Sequence, residues 1–116
     1  MLPQPHVKVL GDLIMAKANI MLQARRMQSQ IQQLQEELSE QTFEGGAGGG
    51  LVKVIADGRQ KIKKININPD AIDPDDLGEL ADLVTAAVNM AVQASLSHSK
   101  SEMKKITGGL ALPGMM

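Results

Sequence analysis

Gly48-Gly49-Gly50-Leu51-Val52-Lys53-Val54-Ile55-Ala56-Asp57-Gly58-Arg59-Gln60-Lys61-Ile62-Lys63-Lys64-Ile65-Asn66-Ile67-Asn68 is the stretch that decides the fold. Leu51 to Ala56 is apolar and β-branched, the composition of a strand. Asp57-Gly58 is the dipeptide that two-residue type I′ hairpin turns favour. The chain returns from Arg59 to Asn68 with Ile65 and Ile67 alternating against Lys64, Asn66 and Asn68, a second strand. Ile62 is out of phase with those isoleucines, so a bulge or twist is expected between Ile62 and Ile65. Upstream, Gln41-Thr42-Phe43-Glu44 reads as a third short strand. The glycine-rich residues 45–50 that follow it cannot hold a helix.

Helices flank this sheet. Residues 9–40 hold no proline and, after Gly11, no glycine, and they are rich in Gln, Met, Glu and Leu. Leu13, Ala16, Ile20, Ala24, Met27, Ile31, Leu34 and Leu38 recur at spacings of 3, 4, 4, 3, 4, 3 and 4, close to a coiled-coil seam with one slip near Ile20. Some thirty residues at ~1.5 Å each make a rod of roughly 45 Å. A packed 100-residue domain has a radius of gyration of about 13 Å, so the rod should project or find a partner. On the other side, Asp73-Pro74 offers an N-cap and a proline at the first helical position. A second helix is therefore expected over 74–106, with Leu77, Leu80, Val84, Ala87, Val88 and Ala91 on one face. Gly108-Gly109 should stop it, leaving an apolar tail over 107–116. The fold class is α+β. Three short strands under one helix make a small core, and oligomerisation is the natural remedy.

Composition closes much of function space. The 116 residues include no Cys, Trp or Tyr, one Phe, two His and eight Met. Disulfides, thiolate zinc sites and a Cys nucleophile are excluded. The single aromatic, Phe43, is too few for a single-strand stacking platform. No apolar run approaches the ~18 residues of a membrane span, and the N-terminus does not read as a signal peptide, so an intracellular protein without a membrane partner is expected. The glycine run lacks the Gly-Lys-Ser/Thr of a phosphate loop and leads into a strand. Asp70, Asp73, Asp75, Asp76, Glu79 and Asp82 do not follow EF-hand spacing, and helix capping explains most of them. His6 and His98 have no metal or catalytic context. No catalytic constellation is present, so no enzymatic activity, cofactor or metal is expected.

The basic residues say more, although the net charge is −1. The hairpin carries Lys53, Arg59, Lys61, Lys63 and Lys64 against Asp57 alone. Lys100, Lys104 and Lys105 cluster near the C-terminus, and Lys17, Arg25 and Arg26 lie on the first helix. By charge alone these are solvated faces and edge-strand lysines that discourage aggregation. A symmetric dimer would double every patch.

Several blocks together resemble one family. A Met/Gln-rich helix is followed by Gly48-Gly-Gly-Leu-Val-Lys-Val, Asp57-Gly58 and Ile65-Asn-Ile-Asn-Pro69. Then come Asp82-Leu-Val-Thr-Ala-Ala-Val-Asn89-Met-Ala91 and Thr107-Gly-Gly-Leu-Ala-Leu-Pro-Gly114. This order, over nearly the whole chain, is similar to the YbaB/EbfC family of nucleoid-associated proteins. The resemblance implies a cytoplasmic, nucleoid-bound, intertwined homodimer with helices projecting as prongs that grip double-stranded DNA. It points to Lys17, Arg25, Arg26, Lys100, Lys104 and Lys105 as phosphate contacts and to Arg59, Lys61, Lys63 and Lys64 as secondary ones. Base reading would fall to Arg25, Arg26 or the glutamines Gln28, Gln30 and Gln32. The competing expectation is a protein–protein adaptor docking through its long helix, motivated by the near-heptad seam and Met-rich surface.

Overall fold

The structure, a computed structural model, describes residues 5–108, the side chains of Pro5 and His6 excepted. The elements run α1 (Pro5–Glu40), β1 (Thr42–Ala47), β2 (Val52–Asp57), β3 (Ile62–Ile67), a 3-10 turn (Pro69–Ala71) and α2 (Leu77–Thr107). The expected α+β class and element order hold. The strands form one antiparallel sheet in the order β1-β2-β3. Residues 109–116, most of the expected tail, lie outside the described residues.

The anticipated bulge is present. Ile55 pairs with Lys64 but Ala56 pairs with Ile62, so Lys63 is the extra residue on β3. The turn before it differs from the expected two-residue form. Asp57 N–H donates to Lys61 O at 2.8 Å and Gln60 N–H to Asp57 O at 3.2 Å, and Gln60 takes the left-handed conformation at φ 65°. This is a three-residue loop closed by a left-handed residue. The Asp57 carboxylate steadies it by accepting from the N–H groups of Arg59 and Lys61 at 2.8 and 3.0 Å. Gly58 is needed because α1 ends on it: its N–H donates to Leu38 O at 2.7 Å, and a Cβ would lie 2.6 Å from that oxygen.

The glycine run divides into two jobs. Gly45, Gly46 and Ala47 complete β1, so that strand is longer than Gln41–Glu44 suggests. Gly48, Gly49 and Gly50 turn the chain, all at positive φ. Gly45 lets α2 touch the sheet: a Cβ there would collide with Ala87 O and lie 2.6 Å from Ala91 N.

Val52, Val54 and Ala56 of β2 are buried against Ala87 and Ala91 of α2, with Leu80, Leu83, Val84 and Val88 around them. The buried stripe continues to Ser95, whose hydroxyl donates to Asp57 O and accepts from Gln60 N–H at 3.3 Å and Gln60 Nε2 at 3.0 Å. α2 starts three residues later than the Asp73-Pro74 signal suggested. Asp76 is its N-cap, accepting from Glu79 N–H at 3.1 Å, while Asp73 closes a tight turn by accepting from Asp75 N–H. At the other end Gly108 caps α2 in the left-handed conformation.

α1 behaves as the rod the sequence foresaw. Only its last turns are covered, with Leu34 and Leu38 buried and Met27 and Ile31 half-buried, while Leu13 and Ile20 of the same seam are exposed. The described molecule measures 93 × 21 × 15 Å with a radius of gyration of 24.1 Å. It has a packed base and a long prong.

Candidate nucleic-acid interface

The C-terminal half of α2 runs antiparallel to the C-terminal third of α1. Glu102, Lys105 and Ile106 of α2 and Gln30, Gln33, Leu34 and Glu37 of α1 line an open groove where the two meet. α2 then stops at Thr107. Among the described residues α1 alone continues outward, so the prong is two helices wide at its root and one helix wide beyond.

Every described candidate cation is solvent-exposed: Lys17, Arg25 and Arg26 on α1, Lys100, Lys104 and Lys105 on α2, and Arg59, Lys61, Lys63 and Lys64 on the hairpin. They are not equivalent. Lys105 faces the groove and pairs with Glu102 at 2.9 Å. The Lys105 hydrogen bond holds the Glu102 carboxyl below its ordinary value, against a smaller opposing effect of desolvation. At 3.6 residues per turn Arg26 lies about 40° around α1 from Gln30 and one turn further out, so it stands on the same side of α1 beyond the groove. Arg25 is displaced by about 100° from Arg26, and Lys17 lies on the opposite side of the helix from Arg26. Gln30 likewise stands well away from Gln28 and Gln32 by helical position, so the three glutamines do not act as one surface. Lys104 and Lys105 occupy the last turn of α2, where the helix dipole favours positive charge.

Part of the hairpin charge is neutralised in place. Lys63 Nζ lies 3.8 Å from the buried Asp57 carboxylate, and Lys53 Nζ lies 3.8 Å from Glu44. Burial pushes the Asp57 carboxyl up. The Lys61 and Arg59 N–H groups and the Lys63 and Arg59 charges outweigh that and hold it below the ordinary aspartate range. Arg59, Lys61 and Lys64 remain exposed at the base of the prong.

His98 packs its ring on Phe43 with centroids 5.2 Å apart, and its Nε2 is buried without a hydrogen-bond partner among the described residues. None of the described residues forms a cluster suited to a metal ion. One sequence reading needs correction: an 18-residue window of α2 reaches a mean hydropathy of 1.2, so by length and composition that helix qualifies for a membrane span. Its buried Ala87-Ala91-Ser95 stripe lies on a sheet, as in a core helix, yet only 17% of the window is buried within this chain. α2 carries more apolar surface than one copy covers.

β3 leaves the same kind of surface. Ile65 and Ile67 pair with Val54 and Val52 and so face the side that α2 packs on. α2 lies over β1 and β2, and the two isoleucines remain 44% and 37% exposed.

Comparison with known proteins adds three findings. The model of the YbaB/EbfC DNA-binding family matches residues 14–110. A nucleoid-associated protein of Caldanaerobacter subterraneus is 50% identical over 97 residues, covering 84% of this chain and 87% of that one; another, of Moorella thermoacetica, is 52% identical over 95 residues, covering 82% and 91%. Among solved structures, an uncharacterized protein of Helicobacter pylori superposes with a TM-score of 0.67 at 20% identity, over 73% of this chain and 89% of that one, a likeness of fold.

Proposed function

Because this chain belongs to the YbaB/EbfC DNA-binding family, we propose that it is a nucleoid-associated protein without enzymatic activity that binds duplex DNA as a homodimer. The observation that carries the reading is the charge of the prong: between Asp12 and Glu36 α1 has no acidic residue, and it presents Lys17, Arg25 and Arg26 exposed. The last turns of α2 bring Lys100, Lys104 and Lys105 toward the prong's root. Arginine and lysine ends would neutralise phosphates and release counterions, so binding should weaken steeply with salt. The hairpin cations Arg59, Lys61, Lys63 and Lys64 are secondary contacts. The names of its relatives support a place in the nucleoid, hence the bacterial cytoplasm, and a role in gene regulation is consistent with it.

Dimerisation is supported by the uncovered Ile65 and Ile67 ledge beside α2, by Leu77 and Met90 at 62% and 54% exposure, and by the small core of a single copy. Strand exchange between copies would bury these surfaces together.

The test is titration of fluorescent duplex with purified protein at several salt concentrations, beside sedimentation to read the mass. Steep weakening with salt and a mass twice the 12.4 kDa of one chain are expected. No binding at low salt would favour the second reading, an adaptor that docks a protein on α1. That reading draws on Val7, Leu10, Leu13, Ile14, Ile20 and Met21, all more than half exposed on the outer prong.

A further inference from the structure

The outer half of α1 is the part of the molecule with the least reason to lie bare in water. Nine of the sixteen residues from Val7 to Leu22 are large apolar side chains, 47–67% exposed. Single exposed hydrophobics are ordinary, but a run of them along about 24 Å of one helix is the surface of an interface. Val9, Asp12 and Leu13 also precede residue 14, where the match to the family model begins. This end of the rod has to be explained from the chain itself.

Two apolar lines run along it. Val9, Leu13, Ala16 and Ile20 follow one another at spacings of 4, 3 and 4, the repeat of a coiled-coil seam, and Gln23 at the next position ends the line toward the root. Val7, Leu10, Ile14 and Met21 form the other. Lys17 takes the seam position between Ile14 and Met21, so closing that second line would bury a charge. The first line holds no charge and has one on each side. At 3.6 residues per turn Asp12 stands about 80° to one side of it and Lys17 about 60° to the other. Both are exposed, and among the described residues neither has an ion-pair partner.

Those charges decide what fits the seam. When two helices pair in parallel, the residue flanking the seam on one side of the first faces the residue five further on, on the other flank of the second. Asp12 and Lys17 are five apart and on opposite flanks, so two copies in register set Asp12 of each beside Lys17 of the other. An antiparallel pair sets each flank against its own copy and leaves both charges unpaired. We propose that residues 9–20 of α1 zip in parallel with the same residues of a second copy, through Val9, Leu13, Ala16 and Ile20, with an Asp12–Lys17 bridge on either side. Four layers, about 17 Å, are short for free helices. The zipper therefore joins chains that the base already holds together at high effective concentration, and it rests on the homodimer reading above.

The chain has no cysteine, so a single introduced thiol can form a disulfide only with another copy. Full-length Ala16→Cys, on the seam, and Ile14→Cys, on the other line, are equilibrated in a glutathione redox buffer, and the linked fraction is read on a non-reducing gel. Both sites are exposed on the prong, away from the base, so folding is not at stake. The disulfide equilibrium constant of Ala16→Cys should exceed that of Ile14→Cys about tenfold or more. Adding Lys17→Glu to Ala16→Cys sets carboxylates side by side and should lower the constant about 2- to 10-fold; adding Asp12→Lys as well exchanges the charges and should restore it. Both charge effects should shrink as salt is raised. Sedimentation of the reduced proteins reads the base dimer separately. A chain that sediments as a dimer but links Ala16→Cys no better than Ile14→Cys overturns the zipper, as does linkage indifferent to the charge exchange. A mixture of Leu13→Cys and Ala16→Cys that links across the two sites ahead of either alone means an antiparallel pair and overturns the parallel register. A single-chain mass without linkage overturns the homodimer reading as well.

Discussion

The base and the prong of this protein are built on opposite terms. At the base, backbones touch: Gly45 admits α2 against β1, and Gly58 admits the end of α1 against the hairpin loop. Every buried apolar residue of the described chain lies there or on the last turns of α1. On the prong, α1 is exposed all round from Val7 to Arg26, and among the described residues nothing holds its side chains. The base thus sets whether the protein folds, and the prong is free to be chosen for what it touches. Substitutions should therefore divide cleanly between those that move stability and those that move binding.

The harshest test of the base is Gly45→Ala. Its methyl meets helix backbone, not a flexible side chain, so the sheet and α2 must separate. A loss of about 3 kcal/mol or more is expected, read as a lowered urea midpoint. Duplex binding should fall only in step with the unfolded fraction. A Gly45→Ala protein of wild-type stability would mean that α2 does not lie as close to β1 as this fold requires.

On the prong, Arg25→Ala/Arg26→Ala combined with Lys104→Ala/Lys105→Ala should leave the melting temperature nearly unchanged. It should flatten the salt dependence of duplex binding, by about 0.9 in log–log slope for each phosphate contact removed. If that variant binds as wild type does, the hairpin cations, and not the helices, carry the contact.

These two regions were not equally legible in the sequence. Period-2 alternation at Ile65 and Ile67, the out-of-phase Ile62 and the Leu34–Leu38 end of the seam announced the base, because local pattern and packing agree there. The details that failed are those in which a distant element decides. Asp57-Gly58 suits a two-residue turn, but Gly58 is taken up by contact with Leu38, and the loop lengthens to put Gln60 at positive φ. Asp73-Pro74 is a good helix start, yet Asp76 followed by Glu79 three residues on is the capping pattern that was used. On the prong the candidate cations were readable by type, and all proved exposed. Their grouping was not readable, because the Lys105 groove exists only through the antiparallel meeting of α1 and α2.

Asp57 probes the seam between the regions. Asp57→Ala removes the acceptor for the Arg59 and Lys61 N–H groups, and a loss of about 1–3 kcal/mol is expected at neutral pH. Because the folded carboxyl titrates below its ordinary range, the part due to its charge is fully present above about pH 4 and fades as pH falls through the folded value. Urea unfolding at neutral pH and again at about pH 3 should show the gap between wild type and variant narrowing at the lower pH. A gap that widens there would mean the carboxylate is held up by burial instead.

The smallest effect belongs to Glu102, and its sign is informative. Of the two acids lining the groove, Glu37 and Glu102, it is Glu102 that pairs with Lys105, at 2.9 Å on an exposed helix turn. Surface pairs of this kind contribute little to folding and are screened by salt, so Glu102→Gln should leave the melting temperature unchanged. Binding should move the other way from the cation variants. Removing the carboxylate deletes a charge that repels phosphate and frees Lys105 to meet one, so duplex affinity should rise a few-fold at low salt and converge with wild type as salt is raised. Weaker binding by Glu102→Gln at low salt would mean that Glu102 positions Lys105 for its contact, and the groove would then be an arranged site and not a loose collection of charges.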